Sequence, residues 1–147
     1  MTDDFRDLLA AFVDSDVRFL VVGAHALAAH GVPRVTGDLD VWVEPMPENA
    51  QRVWRALAAF GAPLADFAVR ESDFATPDMV VQFGLPPYRI DVMTSISGVT
   101  FAEAWTDRLD GVMLQVSVSF LGRDTFIRNK RASGRKRDLS DIEALNG

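Results

Sequence analysis

Two aspartates that flank a single leucine constrain the fold of this chain more than any other feature of its sequence. Asp38 and Asp40 occur in "DLDVWV", where acidic and apolar residues alternate before an apolar run. This pattern predicts a β-strand, in which residues two apart face the same way with Cα atoms about 6.7 Å apart. Both carboxylates are therefore expected on one face, while Leu39 and Val41 turn to the core and fix the register.

A third strand carboxylate is predicted in "YRIDVMT", where Asp91 lies between Ile90 and Val92. An acidic strand face also has a purely structural explanation, because half-exposed strands alternate in this way, although aspartate is depleted in strands. Three carboxylates on neighbouring strands repel one another unless cations neutralise them. We therefore predict that Asp38, Asp40 and Asp91 converge on two divalent ions. Paired ions about 3.5 to 4 Å apart serve phosphoryl and nucleotidyl transfer.

Gly23 follows the apolar stretch "VRFLVV" and begins the alanine-rich segment "GAHALAAHG". The pattern predicts a buried strand, a tight turn and a short helix. Backbone N–H groups at such a turn can bind anions, and a glycine leaves room for a phosphate to approach. This turn is common for structural reasons alone, so it supports a phosphate site only together with the carboxylates.

The hydrophobic pattern predicts one domain over residues 1–147 with an α+β or mixed α/β fold, in which helices pack mainly on one face of a mixed sheet. "MVVQFGL" and "YRIDVMT" are expected to pair as a hairpin through Pro86 and Pro87, and "VMLQVSVSF" is expected to form one last strand. Helices are predicted at residues 5–13, from Pro47 to Gly61, from a capping box at Thr100 and Glu103, and at about 123–132 and 138–145.

Composition excludes several classes of protein. The chain of 147 residues has no cysteine, which excludes disulfides, thiol catalysis and Cys-ligated zinc. No apolar run approaches the roughly 18 residues of a membrane span, and the acidic N-terminus is unlike a secretory signal, so a cytoplasmic location is expected. The net charge is −6, yet residues 122–147 carry +3. A basic C-terminal segment beside an otherwise acidic chain suits a site that binds both phosphates and cations. The positive charge of this segment is explained equally well by an ordinary solvated helix.

Together these residues resemble the minimal nucleotidyltransferase fold of the DNA polymerase β superfamily. The motif of that superfamily is an apolar residue, Gly, Gly or Ser, a spacer, and then Asp-apolar-Asp. Here it reads "VGA", thirteen residues, then "DLDV", with Asp91 of "RIDV" matching the third carboxylate. One departure is Ala24, which lacks a hydroxyl that could contact phosphate but keeps the backbone amide.

Within that superfamily, "RVTGDLDVWV" and "RNKRASGRKRDLSDIEAL" resemble the AbiEii-like and related bacterial nucleotidyltransferases. The resemblance implies an enzyme that moves a nucleoside monophosphate from an NTP to a hydroxyl, with two Mg²⁺ (or Mn²⁺) ions. It implies the following roles: metal binding by Asp38, Asp40 and Asp91, with Asp91 also deprotonating the acceptor; NTP binding by Gly23, Ala24, Thr36 and Lys130; closure of the site by Arg135, Asp138 and Asp141.

The resemblance leaves the acceptor open between tRNA ends, protein side chains and small molecules such as aminoglycosides. The AbiEii-like branch includes toxins paired with antitoxins. A chain this short has little room for a separate acceptor-binding domain, so an antitoxin partner or a homo-oligomer is expected to complete the site. Two rival hypotheses are a non-catalytic module that binds a nucleotide or a protein, which Ala24 supports, and an RNA-binding module that uses residues 122–147. His25, His30 and the three tryptophans are expected in packing roles.

Overall fold

A six-stranded mixed sheet forms the centre of the protein in the computed structural model, which describes residues 2–34, 36–84 and 88–146. The strands are β1 (Phe19–Val22), β2 (Leu39–Val43), β3 (Val80–Phe83), β4 (Ile90–Met93), β5 (Leu109–Met113) and β6 (Val116–Phe120). Their order in the sheet is β3-β4-β2-β1-β6-β5. The β1–β6 and β2–β4 pairs are parallel and the other three pairs are antiparallel. The predicted mixed sheet with helices is confirmed.

The described part of the chain contains six α-helices. They are α1 (Thr2–Asp14), α2 (Gly23–Ala29), α3 (Pro47–Phe60), α4 (Phe101–Thr106), α5 (Arg123–Ser133) and α6 (Lys136–Asn146). Two short 3₁₀-helices, Leu64–Phe67 and Glu71–Ala75, follow α3. Among the described residues, none of the helices has the length and apolarity that a bilayer crossing requires.

Local signals in the sequence explain where the helices begin and end. Pro47 opens α3, where its missing N–H costs nothing, and Gly61 ends it in a left-handed conformation with φ of 93°. The predicted capping box of α4 is confirmed. The Glu103 N–H donates to Thr100 Oγ1 at 3.2 Å, and the Thr100 N–H donates to Glu103 Oε1 at 3.1 Å.

Burial in the central strands leaves one position open in β2. All four residues of β1 are buried, and so are Leu39 and Val41 of β2, as predicted. Asp40 is the single β2 residue with partial exposure. The register therefore places an acidic side chain between two fully buried neighbours, at a point where the sheet meets solvent.

The hairpin predicted for "MVVQFGL" and "YRIDVMT" is confirmed, because β3 and β4 pair as antiparallel neighbours from Val80–Met93 to Phe83–Ile90. Pro86 and Pro87, which were expected to form its turn, lie outside the described residues.

The single strand expected over "VMLQVSVSF" is wrong, because this segment turns back on itself to form β5 and β6. Leu114 and Gln115 connect them with φ of 51° and 69°. Two successive left-handed residues are typical of the two-residue hairpin turn of type I′. Neither residue is Gly, Asn or Asp, which usually mark such a turn, so the continuous alternation concealed it.

Candidate active site

Asp40 and Asp91 lie side by side on parallel strands. In the β2–β4 pair Asp40 is directly opposite Asp91. The Leu39 N–H fixes this register by donating to the Arg89 carbonyl at 2.8 Å. Because residues in register on adjacent strands face the same way, strand pairing itself brings the two carboxylates together.

The surroundings of this pair disfavour two negative charges. Burial, followed by the charge of Asp91, raises the pKa of Asp40 to about 6. Burial also raises the pKa of Asp91, and the charge of Asp38 adds to that effect. The Oδ1 atoms of Asp40 and Asp91 are buried without a hydrogen-bond partner. A buried acceptor without a partner costs free energy, and one cation could contact both oxygens. The pair therefore fits a divalent ion that prefers oxygen ligands.

Asp38 is arranged differently from the other two carboxylates. It precedes β2, and its Oδ2 lies 3.4 Å from a terminal guanidinium nitrogen of Arg89. The Asp38 N–H donates to Thr36 Oγ1 at 3.1 Å, so the threonine hydroxyl orients this loop. In the part of the chain that the structure describes, no group of three or more His, Asp or Glu side chains has an arrangement that could hold a metal ion. The predicted triad is therefore an adjacent pair with a third carboxylate that contacts an arginine.

Gly23 lies against Asp40, and its backbone explains why a glycine occupies this position. Its φ is +69°, in the left-handed region. A Cβ at this position would overlap with Asp40 Oδ2 and lie 3.2 Å from Asp40 Cγ. The sequence predicted room for a phosphate here, and the structure adds a second requirement, which is room for the carboxylate.

A cleft of about 380 Å³, the basic cleft, brings together most of the predicted site residues. It is lined by Gly23, Ala24, Thr36, Asp38, Asp40 and Lys130. Asp91 lies outside this lining but adjoins it through Asp40. The volume lies within the range of about 300–1,000 Å³ that is usual for small-molecule sites.

Side chains of the C-terminal segment form the opposite wall of the basic cleft. Asp138 is fully buried and receives a hydrogen bond from Arg135 Nε at 2.7 Å, while Lys130 Nζ lies 3.5 Å from its Oδ1. Burial alone would raise the pKa of Asp138, but hydrogen bonds from Arg135 and Ser133 and the charge of Lys130 lower it to about 2. This buried carboxylate therefore holds two cations at the cleft.

Arg34 and Arg137 also line the basic cleft, and sequence reasoning assigned no role to either. Arg34 forms an ion pair with Asp141 of α6. The spacing of Asp138 and Asp141 could have indicated this arrangement, because residues three apart lie on the same face of a helix. Their cationic partners come from distant segments, which the spacing does not identify.

A second cleft, of about 540 Å³, meets the basic cleft at Asp40. The two share Gly23, Asp40, Lys130 and Arg135. The other wall of this serine cleft contains Ser95, Ser97, Asn129 and Ser133. Asn129 Nδ2 donates to the Ser97 carbonyl at 3.0 Å, which fixes α5 against the segment after β4.

The histidines and Trp42 occupy packing positions, as expected. His30 Nε2 is hydrogen-bonded to the Leu121 carbonyl at 2.8 Å. The ring of His25 contacts Phe5 edge-on, and burial lowers its pKa. Neither histidine lines the basic cleft or the serine cleft. Trp42 is buried, with its ring 5.0 Å from that of Phe101.

The fold is similar to that of a crystal structure from Thermotoga maritima described as a "putative nucleotidyltransferase". The two structures superpose with a TM-score of 0.60 over 97% of this chain and 88% of the other, at 14% sequence identity. At that identity the likeness establishes the fold, which is nucleotidyltransferase-like, and it does not single out the AbiEii-like branch. The sequence matches no protein-family model and no curated protein.

Proposed function

We propose that this protein is a metal-dependent nucleotidyltransferase, which transfers a nucleoside monophosphate from an NTP to a hydroxyl and releases pyrophosphate. One observation carries the proposal. Asp40 and Asp91 lie in register with buried, unpartnered oxygens, and Asp40 stands where two clefts meet. The nucleotidyltransferase-like fold supports the same conclusion.

Asp40 and Asp91, together with Asp38, would hold Mg²⁺ or Mn²⁺. When bound, these ions would polarise the reacting phosphate and lower the pKa of the acceptor hydroxyl. Asp91 would take the hydroxyl proton, which is the role that the resemblance implies for it. The acceptor oxygen then forms a bond to the α-phosphorus, and the bond from that phosphorus to pyrophosphate breaks.

The basic cleft is the proposed site for the NTP. Lys130 and Arg135 would neutralise the triphosphate, because ammonium and guanidinium groups are the usual protein partners of phosphate oxygens. Gly23 and Ala24 would contact it through the backbone. Ala24 has no hydroxyl to offer the triphosphate, and Arg34, which also lines the cleft, would supply a further cationic contact.

The serine cleft is the proposed site for the acceptor. Its lining includes two cations, Lys130 and Arg135, and one carboxylate, Asp40, beside neutral hydroxyl and amide groups. This balance favours a neutral or anionic acceptor over a polycation such as an aminoglycoside. A tRNA end, a protein hydroxyl and an uncharged small molecule all fit this description. The first two acceptors are also consistent with a cytoplasmic toxin that has an antitoxin partner or forms a homo-oligomer.

Incubation with each labelled NTP, Mg²⁺ or Mn²⁺, and a crude RNA and protein extract tests the proposal. We expect label in one acceptor, no label after Asp40→Asn, and full labelling after the control exchange Asp14→Asn on the exposed end of α1. Absence of label with every NTP, or equal labelling by wild type and Asp40→Asn, would contradict transfer by this site.

A second candidate is a non-catalytic nucleotide-binding or protein-interaction module, which Ala24 favours because it removes one potential phosphate ligand from the basic cleft. Under this alternative an NTP binds without transfer, and Asp38→Asn leaves its affinity unchanged. Nucleotide affinity that depends on added Mn²⁺ and falls in Asp38→Asn would favour the enzyme instead.

A further inference from the structure

Arg89 is a cation built into the carboxylate cluster. It directly precedes β4, and its carbonyl accepts the Leu39 N–H at 2.8 Å, so the pairing that aligns Asp40 with Asp91 also fixes Arg89. Its guanidinium contacts Asp38 Oδ2 at 3.4 Å. The hydrogen bond and charge of Asp38, followed by the charges of Asp91 and Asp40, raise the pKa of Arg89. All three carboxylates therefore act on this one side chain.

The three carboxylates differ in what a metal ion would have to displace. Asp40 Oδ1 and Asp91 Oδ1 have no hydrogen-bond partner, so an ion can bind between them without breaking a contact. An ion at Asp38 must compete with the guanidinium of Arg89. Charge adds to this difference, since a divalent ion and a guanidinium repel each other at such short range.

Charge balance points to the number of ions. Three ionised carboxylates carry three negative charges, and Arg89 offsets one of them. The charge of Lys130 also acts on Asp40, so one divalent ion is enough to neutralise what remains. A second divalent ion would leave an excess of positive charge beside a guanidinium, unless a triphosphate supplied negative oxygens at the same time.

We propose that Arg89 is an internal counter-cation that occupies Asp38 and so restricts the nucleotide-free site to one divalent ion, held by Asp40 and Asp91. The inference rests on the proposed function, because it concerns metal loading of the same site. Arg89 acts here as a positioning residue through its contact with Asp38.

Mn²⁺ binding without nucleotide, followed by electron paramagnetic resonance and calorimetry, tests this role. Wild type is expected to bind one equivalent. Arg89→Ala is expected to bind a second ion with affinity on the order of tenfold higher than wild type, and Arg89→Lys to behave as wild type. The double variant Asp38→Asn/Arg89→Ala is expected to bind one ion again, because the second ion needs Asp38.

Arg18→Ala provides a matched control. Arg18 forms an ion pair with Glu44 at 3.5 Å, and its side chain is partly exposed, as that of Arg89 is. It lies away from the carboxylates, because it precedes the first residue of β1, whereas Asp40 pairs with the last residue of that strand. This variant should bind one equivalent. If wild type and Arg89→Ala bind two ions equally, or if the double variant keeps a second ion, the proposed role of Arg89 is wrong and the proposed function is unaffected. Absence of Mn²⁺ binding in every folded variant would overturn the metal-dependent function as well.

Discussion

At Gly23 two separate constraints act on one residue. The left-handed backbone disfavours any side chain, and the space where a Cβ would lie is occupied by Asp40 Oδ2. The first constraint concerns folding, whereas the second concerns the position of a carboxylate. A comparison with a glycine that has only the first constraint separates the two.

Gly31 is that comparison, because its φ is +92° and no atom lies within 4 Å of the place that a Cβ would take. Gly23→Ala and Gly31→Ala are each expected to lose about 1–2 kcal/mol of stability through the left-handed backbone. Only Gly23→Ala should weaken Mn²⁺ binding, because it displaces Asp40. Urea unfolding and Mn²⁺ titration measure the two effects. Equal Mn²⁺ affinity in both variants would show that Asp40 tolerates the added methyl group.

At the scale of elements, α6 is joined to the rest of the site through Asp138. This carboxylate is buried, and it contacts Lys130 of α5 and Arg135 in the turn before α6. Because its pKa is lowered from 3.8 to about 2, the ionised form stabilises the folded state. That stabilisation is complete above about pH 4 and is lost as the pH falls through 2.

Wild type is therefore expected to lose about 2 kcal/mol between pH 4 and pH 2 from this group alone. Asp138→Asn should be less stable at pH 7 by a similar amount and should show a smaller loss over that interval. Urea midpoints at pH 7, 4 and 2 measure this. Glu143→Gln, an exposed exchange on the same helix, serves as the control. If Asp138→Asn loses as much stability between pH 4 and pH 2 as wild type does, other carboxylates cause that loss.

The hairpin of β5 and β6 offers a test of backbone conformation. Gln115 is exposed and has φ of 69°, so Gln115→Gly is expected to stabilise the protein by about 0.5–1 kcal/mol. The same exchange at exposed Gln51, within α3, should destabilise it by about 1 kcal/mol. Thermal unfolding measures both. A loss of stability in Gln115→Gly would contradict the assigned turn.

The sequence predicts those elements that local chemistry specifies. The capping box at Thr100 and the strand around Asp40 follow from spacing and alternation. The turn at Leu114 was missed, because its residues carry no turn signal. The partners of Arg34 and Arg89 could not be predicted, since ion pairs between distant segments depend on how strands and helices pack. Strand register, which places Asp91 opposite Asp40, is likewise a property of the assembled sheet.

At the scale of the whole molecule, two clefts meet at one carboxylate. Asp40 lines both the basic cleft and the serine cleft, and the two also share Gly23, Lys130 and Arg135. Such an arrangement suits a reaction between two molecules that enter separately. It also predicts that the two clefts can be blocked independently.

Ser97 lines the serine cleft but not the basic cleft, and it is exposed. Ser97→Trp is expected to reduce nucleotidyl transfer at least about tenfold through steric exclusion of the acceptor, which removes productive positioning. The affinity for a non-hydrolysable NTP should stay unchanged. Ser140→Trp, at an exposed position of α6, is the matched control. Full transfer by Ser97→Trp would show that the acceptor binds elsewhere.

A crystal structure with Mn²⁺ and a non-hydrolysable NTP shows where the metal binds, because Mn²⁺ gives a peak in an anomalous difference map. We expect that peak between the carboxylates of Asp40 and Asp91, with the triphosphate along Lys130 in the basic cleft. A nucleotide bound without any peak at this pair, or a peak and triphosphate located away from Asp40, would contradict metal-dependent transfer at this site.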